Sequence, residues 1–363
     1  MRKIIELIHE KKKAVCRFIP KYMYWKKRVF KPFVLKKVFI IGCPEYSNLG
    51  DNAIFLAMVS FLKKYVGLND HRIVCITEKE FLTDYSILSK IISKKSLLCG
   101  VGGGNMGNLW YNEELFRYNL IDTFPNNPVI IFPQTVYFTN DKEGKRAKND
   151  SVMHYESHNN LTLVAREVQS FELINKLYHR PKKIIAPDTV LSVTMDDYGV
   201  KVKNRSGALL IFRCDKEQVM STYERERIKL FLDEQSLPYK STDMYADERI
   251  TEENRSELVR IKMQEFADSE LVITDRLHGM IFAAITETPC IVFSNNHHKI
   301  KGTYDWISYL PYIKYANNIE EAFDCYYEII KIKNCYFDRK PLLNYFEQLA
   351  TEIKNTLKSN SNG

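Results

Sequence analysis

Short apolar runs alternate with amphipathic segments along most of this chain, and this alternation constrains the fold more than any other feature. The first run, residues 37–43, reads Lys-Val-Phe-Ile-Ile-Gly-Cys. A continuous apolar run of this length predicts a strand that is covered on both faces of its sheet. After a turn-rich loop, residues 52–66 carry apolar side chains at helical spacing. A strand, a loop and a helix in this order form the first unit of a doubly wound α/β fold.

The same unit recurs in two successive series, which predicts two domains. Further strands of the first series are predicted at 72–77, 96–101, 128–134, 161–166 and 183–188, with helices at 142–154 and 170–177. The second series has predicted strands at 208–213, 237–239, 271–274 and 290–293, with helices at 222–235, 255–267, 279–285, 320–331 and 342–357. We therefore expect two Rossmann-like domains that face each other across a cleft. The expected divisions are an N-terminal extension at 1–37, domains at 38–204 and 205–335, and a C-terminal helix and tail at 336–363.

Basic residues are concentrated at the N-terminus. The 363 residues carry a net charge of +8, from 53 Lys and Arg against 45 Asp and Glu. Residues 1–37 hold 13 of the basic residues and two acids, a net +11, which leaves 40 basic and 43 acidic residues, a net −3, for the rest. Six aromatic residues lie among these N-terminal charges. Basic and aromatic residues together suit the headgroup zone of an anionic membrane. A solvated helix packed on the body is the alternative, and no nucleic-acid-binding motif accompanies the segment.

Nothing in the sequence predicts export or a membrane span. No apolar run approaches the ~20 residues that cross a bilayer, and no secretory apolar region follows the first residues. The eight cysteines are scattered, without C-x-x-C spacing. We therefore expect a cytoplasmic protein, at most peripheral at the inner face of the cell membrane, with no metal site and no bound nucleic acid.

Two polar motifs follow strands in the first half of the chain, where the cleft of such a fold lies. Asn48, Asp51 and Asn52 lie where the loop enters the first helix; Asp51 or Asn52 could cap that helix, and the alternative is that Asp51 acts on the substrate. Gly103, Gly104 and Asn105 follow another strand. Consecutive glycines suit the close approach of a ligand to the backbone, and their amides form an anion nest; a tight packing turn is the alternative.

Polar groups also follow two later strands of the first half. Gln134 and Thr135 offer hydrogen bonds, and Tyr137 offers a ring that could stack on a sugar. An ordinary turn at the end of a strand is the alternative for all three. Arg166 follows the next strand. It is expected either to pair with a neighbouring acid or to bind a carboxylate or phosphate in the cleft with its bidentate fork.

The most specific motif joins a strand to a helix in the second half, where residues 274–280 read Thr-Asp-Arg-Leu-His-Gly-Met. Asp275 is expected to cap the helix, and the backbone amides that follow it favour an anion. A lone histidine is more often a satisfied core residue. Arg276 and His278 together at a helix start, however, favour anion binding.

Together these motifs resemble those of the polysaccharide pyruvyltransferase family. The resemblance is carried, in family order across most of the chain, by Asn48-x-Gly50-Asp51-x-Ala53, Gly102-Gly103-Gly104-Asn105, Pro133-Gln134-Thr135, Arg166-x-x-x-Ser170, Pro187-Asp188 and Asp275-Arg276-Leu277-His278-Gly279. It implies a GT-B-like pair of domains and phosphoenolpyruvate as the donor. It also implies that Arg276, the amide of Leu277 and His278 bind the donor, with Arg166 as a second cation.

On this reading, the donor site must hold a carboxylate and a phosphate. Arg213, at the end of its strand, is a further candidate cation, and the glycine nest with Asn105 is assigned to the same site. Transfer requires protonation of the methylene carbon, addition of two sugar hydroxyls and loss of phosphate, so acid and base groups are needed. The candidates for these groups are His278, Asp51 and Asp188.

The acceptor is expected to be a sugar of a lipid-linked oligosaccharide in capsule or exopolysaccharide synthesis. The residues assigned to its binding are Asn48, Gln134, Thr135 and Tyr137. No cofactor is expected beyond phosphoenolpyruvate as co-substrate. The two alternatives are a GT-B glycosyltransferase that uses a nucleotide sugar and a non-catalytic scaffold of a polysaccharide assembly complex.

Overall fold

A parallel sheet forms the first domain in the computed structural model, which describes residues 18–30, 37–215, 217–294 and 298–359. Its strands run in the order β2-β1-β3-β5-β6-β7, and β4 pairs with the far end of β5. Its strands are β1 (Val38–Cys43), β2 (Ile73–Thr77), β3 (Leu97–Gly100), β4 (Gly103–Gly107), β5 (Val129–Tyr137), β6 (Leu161–Ala165) and β7 (Lys182–Ile185). Helices cover both faces of this sheet: α1 over 18–30, α2 (Leu49–Lys64), α3 (Glu78–Ile91), α4 (Tyr111–Thr123), α5 (Lys142–Ser157) and α6 (Val168–Leu177).

The second domain contains a smaller parallel sheet in the order β12-β11-β10-β8-β9. Its strands are β8 (Ala208–Ile211), β9 (Tyr239–Thr242), β10 (Leu271–Thr274), β11 (Cys290–Phe293) and β12 (Ile313–Ala316). The helices that follow the linker are α7 (Thr222–Glu234), α8 (Arg255–Ala267), α9 (Leu277–Ile285), α10 (His298–Asp305), α11 (Ile319–Ile329) and α12 (Lys340–Ser359). The predicted α/β fold of two Rossmann-like domains is confirmed.

The sequence prediction missed several elements, for identifiable reasons. It contains no α3, α4, α10, β4 or β12. The run Gly103–Gly107 has little strand propensity, and it becomes a strand only because β5 continues beyond its neighbours and offers it a partner. The weak strand predicted at 237–239 lies instead at Tyr239–Thr242, where it pairs with β8.

The last helix returns to the first domain. The ring of Phe346 on α12 lies 6.1 Å from that of Phe61 and 5.9 Å from that of Tyr65, both in or next to α2. Glu352, one turn and a half further on, contacts the ammonium of Lys182 on β7. The segment predicted as a separate C-terminal helix and tail therefore packs on the first domain and ties the two domains together.

Two loops, one from each domain, pair at the mouth of the cleft. Asn48 and Tyr245 form an isolated antiparallel bridge. The amide of Leu49 donates to the carbonyl of Met244 at 2.8 Å, and the amide of Ala246 donates to the carbonyl of Ser47 at 2.8 Å. This bridge fixes the loop that precedes α2 relative to the second domain.

A buried polar pair supports the same loop from behind. The Nδ2 group of Asn52 donates to the carbonyls of Tyr46 and Asn48, at 2.9 and 2.8 Å. Arg255 of the second domain donates to Asn52 Oδ1 at 2.8 Å and to the carbonyl of Pro44 at 2.6 Å. Buried polar groups that are satisfied in this way favour one geometry of the loop.

Helix α1 includes the part of the basic extension that the structure describes. Trp25 is fully buried against α3 and donates from its indole to Asp84 at 2.9 Å. Trp25 is therefore a packing residue and not the membrane-facing ring that the sequence suggested. The outward face of α1 instead exposes Ile19, Met23 and Phe30. The predicted extension also includes residues 1–17 and 31–36, which lie outside the described residues.

Candidate active site

A cavity of about 310 Å³ lies between the two domains, at the carboxyl ends of their strands. Nine residues predicted for the site line it: Asn48, Asp51, Gly104, Asn105, Arg166, Arg213, Arg276, Leu277 and His278. Eight more line it that the sequence did not indicate: Tyr46, Trp110, Glu113, Asp215, Glu217, Met244, Tyr245 and Lys299. Motifs separated by more than 200 residues thus converge on one cleft.

Arg166 lines the cavity, and hydrogen bonds to neighbouring side chains hold its guanidinium in place. Its guanidinium is 1% exposed and donates to Asp188 at 2.8 Å and to the hydroxyl of Thr135 at 2.7 and 3.1 Å. A Cβ atom added at Gly104 would lie 2.7 Å from its Nη2 atom. Arg166 therefore pairs with an acid, as one sequence interpretation expected, and it also lines the cleft in which the other interpretation has it bind an anion.

Glycine at position 104 is required by this close approach. The change Gly104→Ala should displace the Arg166 guanidinium, because real Cβ atoms do not approach other atoms so closely. We expect KM for an anionic substrate to rise about tenfold with little loss of stability, measured by steady-state kinetics and thermal unfolding. Gly199→Ala is not a suitable control because Gly199 has a positive φ of 66°. The control is Ser157→Ala, at the exposed end of α5. Unchanged kinetics in Gly104→Ala would contradict the argument that a Cβ atom at position 104 displaces Arg166.

The predicted acceptor residues on β5 lie behind the cavity wall. Gln134 and Thr135 are 1% and 2% exposed. Gln134 donates to the carbonyl of Val101 at 2.8 Å, and Thr135 donates to Glu167 at 2.9 Å while it accepts from Arg166. The assignment of these two residues to acceptor contacts is therefore corrected: β5 continues to Tyr137, so both lie inside the strand and not after it.

Three further predicted residues do not line the cavity. The ring of Tyr137 lies 6.3 Å from that of His298. Gly103 starts β4, beside Asn105. Asp188 is 1% exposed and lies behind Arg166 and His278. Its place in the structure makes it a support for both groups.

His278 is positioned from two sides at the start of α9. Its Nε2 atom lies 3.5 Å from Asp188 Oδ2, and its ring packs directly on Gly50, where there is no room for a Cβ atom. Burial would raise the pKa of Asp188, but His278, Arg166 and the amide of Val190 outweigh burial and hold that pKa well below its usual range. Asp188 is therefore an anion at neutral pH, suited to orienting the imidazole rather than to donating a proton.

Asp51 is free to act in the cavity because another residue caps its helix. The side chain of Asn48 accepts from the amides of Gly50 and Asp51, at 2.9 and 3.4 Å. Burial raises the pKa of Asp51, and the charge of His278 is the largest opposing cause. The helix cap that the sequence analysis offered for Asp51 or Asn52 is therefore wrong, and Asn48 caps the helix instead.

Asp275 does not cap α9 as predicted. Its Oδ1 atom accepts from the backbone amide of Arg213 at 2.8 Å, and Oδ2 has no hydrogen-bond partner among the described residues. The N-cap position belongs to Arg276, whose side chain makes no cap hydrogen bond. Asp275 therefore fixes the end of β8 relative to β10, and so places Arg213 and Arg276 side by side.

The cations Arg213 and Arg276, which the sequence assigned to the donor site, are matched by carboxylates. Arg276 pairs with Asp215 at 2.7 Å and with Asp243 at 2.8 Å. Arg213 pairs with Asp215 at 3.0 Å and with Glu217 at 3.0 Å, and Lys299 contacts the same Glu217. These acids come from loops that the sequence did not connect with the motif. An incoming anion must therefore take the place of a protein carboxylate.

The comparison with known families shows which family the chain belongs to. The sequence matches the family model described as polysaccharide pyruvyl transferase over residues 48–297. The chain belongs to this family. The lining residues from Asn48 to His278 fall within the matched region, and Tyr46 and Lys299 lie just outside it.

Two relatives of this chain and one solved structure illustrate the family and the fold. General stress protein 30 of Bacillus subtilis is 35% identical over 79% of this chain and 83% of its own length. Pyruvyl transferase 1 of Schizosaccharomyces pombe is 28% identical over 72% of this chain and 67% of its own. The UDP-GlcNAc 2-epimerase of Methanocaldococcus jannaschii, at 12% identity, superposes with a TM-score of 0.51 over 88% of this chain and 100% of its own. The last match shows that this chain has the same GT-B-type arrangement of two domains as the epimerase.

Among the titratable groups that line the cavity, sequence reasoning missed Lys299 and Glu113. Burial lowers the pKa of Lys299 to about 8, against the opposing charge of Glu217. Burial, with the charges of Glu78 and Asp51, raises the pKa of Glu113 to about 7. Both lie in polar stretches that gave no motif signal, and only the fold carries them into the cleft.

Among the described residues, no helix is long and apolar enough to span a bilayer. No cluster of three or more His, Cys, Asp or Glu residues suited to a metal ion occurs within these same ranges.

Proposed function

We propose that this chain transfers the pyruvyl group of phosphoenolpyruvate to two hydroxyls of a sugar, forming a ketal and releasing phosphate. The observation that carries the proposal is the convergence of Arg166, Arg276, Lys299 and His278 on one cavity at the start of α9. Phosphoenolpyruvate has a carboxylate and a phosphate, and guanidinium groups bind both in bidentate geometry. The amides at the start of α9 add a partial positive charge.

The carboxylates in the cavity are compatible with an anionic donor. Asp215 and Glu217 occupy positions on Arg213, Arg276 and Lys299 that anionic groups of the donor would take. Both acids belong to the loop between β8 and α7, so a movement of one loop would free several cations together. Binding then replaces the ion pairs within the protein by ion pairs with the ligand. A ligand with more than one negative charge is favoured, because it can replace several carboxylate contacts at once.

The reaction balances without a cofactor. A proton adds to the methylene carbon, and a sugar hydroxyl bonds to the central carbon as it loses its proton. The bond from that carbon to the phosphate oxygen then breaks, and a second hydroxyl adds and loses its proton. One of the two hydroxyl protons is accounted for by the new methyl group and the other by the departing hydrogen phosphate. We assign His278 to the phosphate side, because it adjoins the start of α9, and Asp51 to the hydroxyl side.

The test uses the purified full-length chain with phosphoenolpyruvate and a soluble acceptor. Phosphate release that depends on p-nitrophenyl β-galactoside or on a p-nitrophenyl N-acetylmannosaminide, with a pyruvyl ketal on the recovered glycoside by mass spectrometry, is the expected result. Phosphoenolpyruvate should also raise the thermal midpoint, because a ligand stabilises the state that it binds. Stabilisation by UDP-GlcNAc but not by phosphoenolpyruvate, without phosphate release, would favour a nucleotide-sugar glycosyltransferase.

We further infer that the natural acceptor is a lipid-linked oligosaccharide and that α1 rests on the anionic membrane that carries it. Ile19, Met23 and Phe30 are 54%, 59% and 45% exposed and lie within a narrow arc of α1. Lys26 and Lys27 flank them, within a segment of net charge +11. An apolar ridge with basic flanks is the form of an interfacial helix, to which each basic residue adds about 1 kcal/mol.

Vesicle sedimentation tests the membrane proposal. The double variant Ile19→Glu, Met23→Glu should lose about tenfold or more of its partition onto phosphatidylglycerol vesicles, because two charges replace the apolar ridge. Turnover of a soluble glycoside should not change. Met153→Glu is the matched control, since Met153 is 63% exposed on α5. Equal partition of the double variant and the control would contradict the proposal.

A further inference from the structure

Two chemically different groups of side chains line the cavity. The cations Arg166, Arg213 and Lys299 lie together, since all three interact with one another or with shared carboxylates. A second group lies on the side of the first domain, where Asp51 and Glu113 raise the pKa of Tyr46 together with burial of its hydroxyl end. Tyr46 nevertheless remains 41% exposed, so part of its ring faces open space. We call Tyr46, Asp51 and Glu113 the acidic–aromatic wall.

A second ring continues this wall across the domain boundary. Tyr245 is 40% exposed, and it lies next to Asn48 in the bridge that joins the two domains. The guanidinium carbon of Arg276 lies 5.2 Å from the centre of the Tyr245 ring. Tyr245 therefore lies between Arg276 and the acidic–aromatic wall.

We propose that the acidic–aromatic wall binds the acceptor sugar, with Tyr46 and Tyr245 against its ring and with Glu113 accepting the proton of an attacking hydroxyl. This inference rests on the proposed function and assigns the acceptor to residues other than the buried β5 side chains. The C–H faces of a sugar pack on aromatic rings, and its hydroxyls donate to carboxylates. A neutral sugar is not repelled by Asp51 and Glu113, whereas an anionic donor is, so this wall favours the sugar over the donor.

The chemistry of Glu113 fits this role. It faces Asp51 on α2, Glu78 on α3 and Arg117 on its own helix, and the net effect of burial and these charges leaves its pKa near the operating pH. A carboxylate with such a pKa accepts a proton in the transition state and returns it afterwards. The proton taken from the hydroxyl leaves the site with hydrogen phosphate, in the balance given above.

Steady-state kinetics with the better of the two p-nitrophenyl glycosides test the wall. Tyr46→Ala should raise KM for the glycoside about three- to tenfold and leave KM for phosphoenolpyruvate unchanged. Tyr46→Phe, which keeps the ring, should restore most of the affinity. Tyr223→Ala is the control, because Tyr223 is 73% exposed on α7, outside the cavity. An increase confined to KM for phosphoenolpyruvate, or equal KM values for the glycoside in Tyr46→Ala and the control, would overturn the proposal.

Glu113→Gln tests the proton transfer separately. We expect kcat to fall about 10²-fold or more and the rise of kcat with pH near 7 to disappear, while KM for phosphoenolpyruvate stays the same. The variant should be at least as stable as the native chain at pH 8, because a carboxyl whose folded pKa is raised stabilises the fold at low pH and loses that contribution as pH rises through the folded pKa. An unchanged kcat and pH profile would remove Glu113 from catalysis. Absence of phosphate release by the native chain with either glycoside would instead overturn the proposed function, and this inference with it.

Discussion

Arg276→Ala is expected to lower kcat/KM for phosphoenolpyruvate by about 10²- to 10³-fold, the largest loss of activity of any single change that we predict. Hydrogen bonds to charged groups contribute about 1.5–3 kcal/mol each, and two of them converted by 1.4 kcal/mol per tenfold give a loss of this order. The loss should appear mainly in the affinity for the donor. Phosphate release in the presence of a p-nitrophenyl glycoside measures it.

Two matched variants make the Arg276 result specific. Arg276→Lys keeps the charge but not the bidentate fork, so an intermediate loss is expected. Arg227→Ala removes an arginine that pairs with Glu320 on the surface at 2.8 Å, and its kinetics should be native. Activity in Arg276→Ala within a few-fold of Arg227→Ala would contradict the donor site, provided that the thermal midpoints agree.

Asp188→Asn is expected to give the largest loss of stability, about 3–5 kcal/mol in the free energy of unfolding at pH 7. The variant has nearly native shape, but it leaves Arg166, which is 1% exposed, without its charge partner. Breaking a buried ion pair by removing one partner carries a cost of this size. Urea unfolding monitored by circular dichroism measures the loss.

The loss of stability in Asp188→Asn is expected to depend on pH in a definite direction. The folded pKa of Asp188 is depressed, so its contribution to stability is present above the unfolded pKa of about 3.9 and is lost as pH falls through the folded pKa. The difference between native chain and variant should therefore narrow below about pH 4. Asp305→Asn, at an exposed pair with Lys301, should cost at most about 1 kcal/mol. A loss in Asp188→Asn no larger than in this control would contradict the role of Asp188 as the charge partner of Arg166.

The fold followed from the sequence because its signal is local. Strands that lie in the centre of a parallel sheet, such as Leu271–Thr274, are continuous apolar runs, and most of them are followed by a helix. Strands whose formation depends on a partner were missed for the same reason. Gly103–Gly107 has no such run, and Ile313–Ala316 includes a lysine.

The candidate site was predictable only for residues that directly follow a strand or begin a helix. Arg276 and His278 follow β10, and Asp51 lies in the first turn of α2, so the fold brings all three to the cavity. Gln134 and Thr135 were assigned to the acceptor because the strand predicted at 128–134 was expected to end at Gln134. In the structure β5 continues to Tyr137, which places both side chains inside the sheet.

The charge balance of the cleft could not be read from the sequence. Asp215 and Asp243 stand 61 and 33 residues from Arg276, on loops without a motif. Lys299 and Glu217 likewise meet across 82 residues. Pairing over such distances is a property of the assembled domains, so the sequence indicated the cations of the site but not the acids that match them.

A crystal structure of the chain with phosphoenolpyruvate tests the central claim most directly. We predict that the donor lies in the cleft with anionic groups within hydrogen-bond distance of Arg166 and Arg276, and that Asp215 or Glu217 moves off its present cation. Phosphoenolpyruvate bound elsewhere on the surface, with Arg276 still paired to Asp215 and Asp243, would contradict it.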